Sequence, residues 1–363
     1  DLRSPGFVEQ MSQCLDCRAC EAVCPSGVRY GQLLESARAQ IRRSLDSQAP
    51  GGKRRIGDLA LRTIAGNPRL TRLAARMLRF AQQTGLASFA GALGLRRAMQ
   101  LAPKIPASFF SVADQRFAAA DPAGVAFLHA GCIMPIAFGR VHDATVRMLL
   151  RAKLSVVVPS DQGCCGALAT HAGDPDFARA LARRNIESFE RSGADVYVVN
   201  AAGCGSALKE YGELLAADPA WAHRARAFSA RVRDISEVLD AMEFGTPARA
   251  VDAVATYQEP CHLVHAQRIA GAPRRLLARI SGLALVEMDE SALCCGSAGI
   301  YNLTEPEMAA ALQRRKLAAI ERTGASIVVT ANPGCAMQIS SGLRGKRTIV
   351  RHLVELLDEA YRE

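Results

Sequence analysis

The twelve cysteines of this chain fall in three sets of four, separated by long cysteine-free stretches. They are Cys14, Cys17, Cys20 and Cys24; Cys132, Cys164, Cys165 and Cys204; and Cys261, Cys294, Cys295 and Cys335. Four thiolates is the number that a tetrahedral metal or an iron–sulfur cluster takes. Any fold this chain adopts must therefore bring each set together. Twelve in 363 residues is too sparse for a disulfide-stapled scaffold. Two adjacent Cys-Cys pairs, and no apolar leader after Asp1-Leu2-Arg3-Ser4-Pro5, point to a reducing compartment. There, clustered cysteines bind metal more often than they pair as disulfides. The expected location is cytoplasmic.

The first set, Cys14-x2-Cys17-x2-Cys20-x3-Cys24-Pro25, has the spacing of a bacterial ferredoxin run. Two-residue gaps let one short loop wrap three irons of a cubane, and the proline turns the chain away. The spacing predicts a [4Fe-4S] cluster on Cys14, Cys17, Cys20 and Cys24. A zinc knuckle is the alternative, although zinc sites usually pair two distant Cys-x2-Cys units. In two-cluster ferredoxins the fourth cysteine of a run serves the other cluster. Either Cys24 completes a single cluster, or a second run lies in sequence preceding Asp1.

The other two sets belong to an internal repeat of about 130 residues. Thirty-one residues separate Cys132 from Cys164 and 32 separate Cys261 from Cys294; 38 lie between Cys165 and Cys204 and 39 between Cys295 and Cys335. The register extends to Gly166 and Gly296, Asp174-Pro175 and Glu305-Pro306, Arg183-Arg184 and Arg314-Arg315, and Gly193-Ala194 and Gly324-Ala325. In each copy short apolar runs alternate with helical periodicity. Strands are expected at 125–128, 155–158 and 196–200, and again at 253–257, 284–287 and 326–330. Helices are expected at 140–152, 176–192, 272–281 and 307–323. The fold class is α/β, with an N-terminal all-α ferredoxin-like cluster domain followed by two duplicated α/β cysteine-rich halves. The expected boundaries are 1–50 for the cluster domain, 51–120 for a basic helical linker, 121–246 for the first repeat and 247–363 for the second. A break at Gln48-Ala49-Pro50-Gly51-Gly52 follows a helix over 30–45. Each repeated cysteine follows a strand, so the positions can converge at the carboxyl ends of a sheet.

Four thiolates per repeat suit an iron–sulfur centre, a zinc ion or a redox-active disulfide, and the residues alone leave these open. Gln162-Gly163-Cys164-Cys165-Gly166 and Leu293-Cys294-Cys295-Gly296-Ser297-Ala298-Gly299 resemble the cysteine-rich (CCG) domain of heterodisulfide reductase subunits and of flavin-linked hydroxyacid dehydrogenases. Further stretches narrow the resemblance: Cys24-Pro25-Ser26-Gly27-Val28-Arg29-Tyr30, Gly203-Cys204-Gly205, Lys209-Glu210-Tyr211-Gly212, Pro260-Cys261-His262, Thr330-Ala331-Asn332 and Val350-Arg351-His352. Together they resemble the iron–sulfur subunits of glycolate oxidase (glycolate dehydrogenase) over about residues 8–357. That resemblance implies an electron-transfer subunit, not catalytic alone, that serves partner flavoprotein subunits and a quinone or other acceptor. It also implies metal ligation by all twelve cysteines. Two departures stand out. Such subunits usually carry two ferredoxin runs, where this chain has one. The fullest form of the motif ends in Cys-x2-Cys, where this chain has Ala207 and Gln338. The second departure favours electron relay over disulfide cleavage. The rival readings are a thiol–disulfide oxidoreductase of heterodisulfide-reductase type and a zinc-stabilised interaction module.

His129, His171, His262 and His265 lie near the cysteine sets, as ligands or as donors and packing residues; His142, His223 and His352 read as surface or capping positions. The chain carries a net charge of +10, and it is localised. Between Arg38 and Lys104 fourteen basic residues face only Asp46 and Asp58, giving +12 and leaving −2 elsewhere. With Phe80 and Phe89 as its only aromatics, this segment does not read as a nucleic-acid surface. An acidic protein partner, or peripheral contact of residues 38–104 with anionic lipid at the inner face of the cell membrane, fits better. No Gly-x-Gly-x-x-Gly follows a strand and no P-loop is present, so no flavin or nicotinamide site is expected.

Overall fold

The computed structural model describes residues 4–48, 53–86 and 96–362. The break expected at 48–52 lies largely outside them. Runs such as Gly-Val-Ala-Phe-Leu and Leu-Ser-Val-Val-Val carry apolar side chains on both faces, which suits strands covered on both sides by helices. They become β2 (Gly124–Leu128) and β3 (Leu154–Val158). With β1 (Gln115–Phe117), β4 (Val196–Val199) and β5 (Val232–Asp234) they form a five-stranded sheet in the order β1-β3-β2-β4-β5. Only β1 is antiparallel to its neighbour. A second sheet, all parallel, runs β7-β6-β8-β9, from β6 (Ala253–Tyr257), β7 (Leu283–Leu285), β8 (Ile327–Thr330) and β9 (Ile349–His352). Without β1, the two orders are the same. The duplication seen in cysteine spacing is therefore a duplication of topology.

Six of the nine strands match the sequence expectation. The three that it missed, β1, β5 and β9, are three or four residues long and carry Arg116, Arg233 and Arg351, which interrupt an apolar run. The expected helices form at Tyr30–Gln48, Gly139–Arg151, Pro175–Ser192, Gly271–Ala278 and Pro306–Arg322. Asp174 starts one of them by accepting from the Phe177 N–H, with Pro175 in the first turn, and Gly193 ends it at φ +68°. The basic segment forms Lys53–Gly66, Pro68–Thr84 and Arg96–Leu101. Asn67 caps the middle helix by accepting from the Arg69 and Leu70 N–H groups.

The two halves share a core. Helix Leu353–Tyr361 follows β9, yet Leu353, Leu356 and Leu357 belong to the apolar cluster that holds Val141, Ala144 and Met148 of helix Gly139–Arg151. Arg147 clamps Asp358 with two bonds of 2.6 and 2.8 Å.

One histidine expectation is overturned. His142 is not at the surface; it is fully buried, with Nε2 3.0 Å from the Ala130 carbonyl and Nδ1 3.1 Å from Asn200. Helix Gly139–Arg151 is covered on more than one side, so its buried face is wider than its apolar stripe. His223 is exposed, as expected. His352 caps the last helix by accepting from the Val354 N–H, and it is buried as well.

Candidate functional site

In each sheet the chain leaves a central strand, β2 or β6, for a neighbour on one side and then crosses to the other. The crevice outside the carboxyl ends at that reversal is where open α/β sheets place their sites. Cys132 follows β2, Cys164 and Cys165 follow β3, and Cys204 lies in the first turn of helix Ala202–Lys209 after β4. Cys261, Cys294, Cys295 and Cys335 take the same places around β6, β7 and β8. The fold thus gathers the two repeated sets as two separate fours. Cys132 and Cys164 sulfurs are 3.6 Å apart, and the Cys165 and Cys204 sulfurs lie within 4.8 Å of each other and of a His129 ring nitrogen. In the second repeat all four cysteines are buried, and thiol contacts run from Cys261 to Cys294 to Cys295 to Cys335.

Thiol–thiol hydrogen bonding, then burial, pushes the Cys132, Cys261 and Cys295 thiols well up. Cys294 goes the other way: bonds from Cys261 and Cys295, with the Gly296 N–H at 3.4 Å, hold it well down. Metal binding is the event that releases thiol protons from such a set. In the first repeat, Nε2 of His129 is also buried and without a hydrogen-bond partner among the described residues. Four sulfurs in mutual reach form a donor set that fits an iron–sulfur centre, with the orphaned ring nitrogen beside them.

The loops that carry the cysteine pairs need glycine. Gly166 and Gly296 have φ of +84° and +87°. A Cβ at Gly296 would stand 2.5 Å from the Ala309 carbonyl oxygen, whereas at Gly166 the nearest atom is 3.4 Å away. Gly296→Ala is therefore expected to cost about 2–3 kcal/mol and Gly166→Ala about 1 kcal/mol, measured by urea unfolding. Different residues pin the two loops. Asn185 accepts from Gly163 N–H and donates to the Cys164 carbonyl, and Tyr211 donates to the Cys165 carbonyl. The repeat puts Lys316 where Asn185 stands; its buried ammonium donates to the Glu290 and Ser291 carbonyls. Burial lowers the Lys316 pKa, against the pull of the Cys295, Cys335 and Cys294 thiolates.

The ferredoxin-type run begins where helix Pro5–Gln13 ends, at Cys14. Two residues between its cysteines, Asp16 and Arg18, adopt left-handed φ of 54° and 64°. Both side chains point into the protein and are buried. Arg18 holds Asp16 at 3.2 Å, Glu35 at 3.2 Å and Glu210 at 2.7 Å. Asp16 also meets His171 Nδ1 at 3.0 Å. Burial opposes ionisation of Asp16, but the hydrogen bond and charge of His171, with Arg18, hold its carboxyl well below the usual range. Burial, reinforced by Asp16, pushes Glu35 up to about 7. Burial raises the Cys17 thiol, against a hydrogen bond from the Ala19 backbone, and the charge of Cys294 adds to the rise; helix Ala19–Ala22 packs against the turn His262–Ala266 that follows Cys261.

A polar bridge joins that site to the first. Asn332 Nδ2 lies 3.5 Å from the Cys335 sulfur, and its Oδ1 accepts from the Gly203 N–H at 3.1 Å, one residue before Cys204. On the far side of the first site, a cavity of about 680 Å3 is lined by Cys132, Cys164, Arg69, Arg72 and Arg184. The run adjoins both repeats: a second cavity of about 600 Å3 is lined by Arg18 together with Cys165, His171 and Glu210 of the first repeat and His262 of the second. Of the flagged histidines, His171 and His262 meet edge to face with ring centroids 5.5 Å apart. His262 Nδ1 is 3.6 Å from the Cys261 sulfur, and His265 Nε2 is 3.3 Å from the Ala292 carbonyl. Sequence reading missed Asp16, Arg18, Glu35, Asn185, Glu210 and Lys316. The one available signal was a charged pair inside the cysteine run, whose partners lie as far as 192 residues away.

The cysteine-rich domain family matches residues 126–209 and 255–340, the two repeats. A probable glycolate oxidase iron–sulfur subunit of Bacillus subtilis (strain 168) is 38% identical over 96% of this chain and 82% of its own length. The glycolate oxidase iron–sulfur subunit of Escherichia coli (strain K12) is 34% identical over 97% of this chain and 82% of its own. Lactate utilization protein A of an Exiguobacterium species is 29% identical over 64% of this chain and 96% of its own. A crystal structure of a hypothetical protein from Helicobacter pylori shares the fold at a TM-score of 0.50, with 11% identity, over 70% of this chain and 52% of that one. With the repeats, the convergent thiols and relatives matched over most of their length, this chain belongs to the family of glycolate oxidase iron–sulfur subunits.

Proposed function

We propose that this chain is the electron-transfer subunit of a flavin-linked 2-hydroxy-acid dehydrogenase complex. A partner flavoprotein oxidises glycolate or D-lactate, and a quinone or other acceptor takes the electrons. The observation that carries this reading is that the fold packs three four-cysteine sets against one another: the run adjoins both repeats, and Asn332 bridges the two repeated sites. Cys14, Cys17, Cys20 and Cys24 would hold a [4Fe-4S] cluster in a domain of residues 1–50. Cys132, Cys164, Cys165 and Cys204 of the 121–246 unit, and Cys261, Cys294, Cys295 and Cys335 of the 247–363 unit, would hold the other centres. Bound there, iron–sulfur clusters supply one-electron transfer. The chain's own residues bury the sulfurs, hold the loops and bond to sulfur, which are the levers on potential. Anaerobic purification with iron, sulfide and zinc analysis and electron paramagnetic resonance tests the reading. Iron and sulfide are expected at all three sets. Zinc without iron would refute it, and a disulfide-dependent paramagnetic signal would favour a thiol–disulfide enzyme.

The acceptor side we assign to a membrane surface facing the cytoplasm. No described helix is long and apolar enough to cross a bilayer. Helix Pro68–Thr84, within the 51–120 unit, instead presents Leu70, Leu73, Met77 and Phe80 to solvent on one stripe, each 46–66% exposed. Arg69, Arg72 and Arg76 flank that stripe, and among the described residues no carboxylate pairs with them. An apolar stripe edged by arginines suits an anionic lipid surface. The same helix walls the cavity beside Cys132 and Cys164. The holoprotein is expected to sediment with phosphatidylglycerol vesicles and not with phosphatidylcholine vesicles. The combined Leu73→Glu, Met77→Glu and Phe80→Glu variant is expected to stay in the supernatant with both.

A further inference from the structure

The two four-cysteine sites are built on one plan, yet their polar surroundings differ at the residue three before the first cysteine. In the first repeat it is His129; in the second it is Gln258. Gln258 is tied up elsewhere: its Nε2 donates to the Glu259 carbonyl at 2.7 Å and its Oε1 accepts from Thr330 at 2.7 Å. His129 directly follows β2, is buried, and has one ring nitrogen within 4.8 Å of the Cys165 and Cys204 sulfurs. Its Nδ1 is 2.7 Å from the hydroxyl of Tyr197. That contact fixes where the imidazole proton sits. Tyr197 is fully buried, and Nδ1 is the one hydrogen-bond partner of its hydroxyl among the described residues. If Nδ1 carried the proton, the buried phenol could only accept and its own O–H would be stranded, which is unfavourable. Tyr197 therefore donates to Nδ1, and the ring proton lies on Nε2. This is the nitrogen that has no partner among the described residues.

We propose that His129, its tautomer fixed by Tyr197 and a ring nitrogen within 4.8 Å of the Cys165 and Cys204 sulfurs, donates its Nε2–H to one of these thiolates once they hold a centre and so raises the reduction potential of the first repeat's centre. Hydrogen bonds to ligand sulfur stabilise the reduced, more negative state. The second repeat cannot make this bond from Gln258; it uses Asn332 on Cys335 instead. Duplicated sites thus acquire different potentials without any change of ligand. The inference rests on the reading that the first repeat holds an iron–sulfur centre, and the two are tested apart.

The test is a redox titration monitored by electron paramagnetic resonance on the anaerobically purified full chain, with iron and sulfide counted in every sample. His129→Gln, which copies the second repeat, is expected to lower the electron affinity of the first centre about tenfold. That is about 59 mV for a one-electron couple. The second centre is expected to stay where it is. Tyr197→Phe keeps the ring packing, releases the tautomer and is expected to give part of the same shift. Wild-type protein labelled with 15N-histidine is expected to show a weak nitrogen coupling to the first centre, which needs no variant. An unchanged potential in both variants at full iron content would overturn the proposal. So would the strong coupling of a directly bonded nitrogen, which would make His129 a ligand. A wild-type first repeat without iron would remove the electron-transfer reading itself, and the metal count separates that result from the others.

Discussion

Replacing Cys14, Cys17 or Cys20 by Ser is expected to drop acceptor reduction by the assembled complex to background, while hydroxy acid still bleaches the flavin of the partner subunit. The reason is geometric. A serine alkoxide is a poor substitute for thiolate in a cluster that needs four sulfurs. Within this chain, the run adjoins both repeats. If the run holds the proposed cluster, loss of one ligand removes that relay step and leaves the substrate chemistry of the flavoprotein untouched. Flavin bleaching followed by stopped-flow, beside steady-state reduction of a soluble quinone, separates the two steps. Undiminished turnover in any of the three variants would sink the relay.

Arg18→Met is expected to cost about 3–5 kcal/mol, because it strands buried carboxylates rather than removing one surface pair. Arg18 is 2% exposed at its side chain and serves Asp16, Glu35 and Glu210 together. Methionine keeps much of the volume and supplies none of the charge. Arg18→Lys is expected to recover only part of the loss, since an ammonium cannot reach three carboxylates with the fork of a guanidinium. Urea unfolding measures the effect, which is expected to shrink at low pH as the stranded carboxylates take up protons. Gly31 supports the same arrangement: a Cβ there would collide with the Arg18 guanidinium. Iron retained by the run at moderate urea is a second readout, because Arg18 fixes the loop that carries Cys17 and Cys20.

The large features were legible in the primary structure for a definite reason. Cysteine spacing and strand–helix alternation are local periodicities, and a duplication doubles the evidence for each. Cys132, Cys164, Cys165 and Cys204 converge because they follow β2, β3 and β4, three parallel neighbours of one sheet, and parallel strands gather such positions at their carboxyl ends. What escaped depended on partners far away in the chain. Arg18 and Glu210 are 192 residues apart, and nothing in either segment announces the other. His142 looked like a surface residue because its helix alternates polar and apolar groups; only a second covering element explains its burial. Strands β5 and β9 were hidden by the arginines that edge strands tolerate.

The clamp between Arg147 and Asp358 has a consequence for synthesis. These residues are separated by 211 positions, and Leu353, Leu356 and Leu357 complete the apolar cluster of the first half. On the ribosome, the first sheet can pair its strands early, but one face of helix Gly139–Arg151 stays bare until the whole second repeat has emerged. The nascent chain thus passes through a long interval with that apolar face uncovered. A stop codon or a stall shortly before Leu353 would be expected to yield aggregated product even though every cysteine had been made.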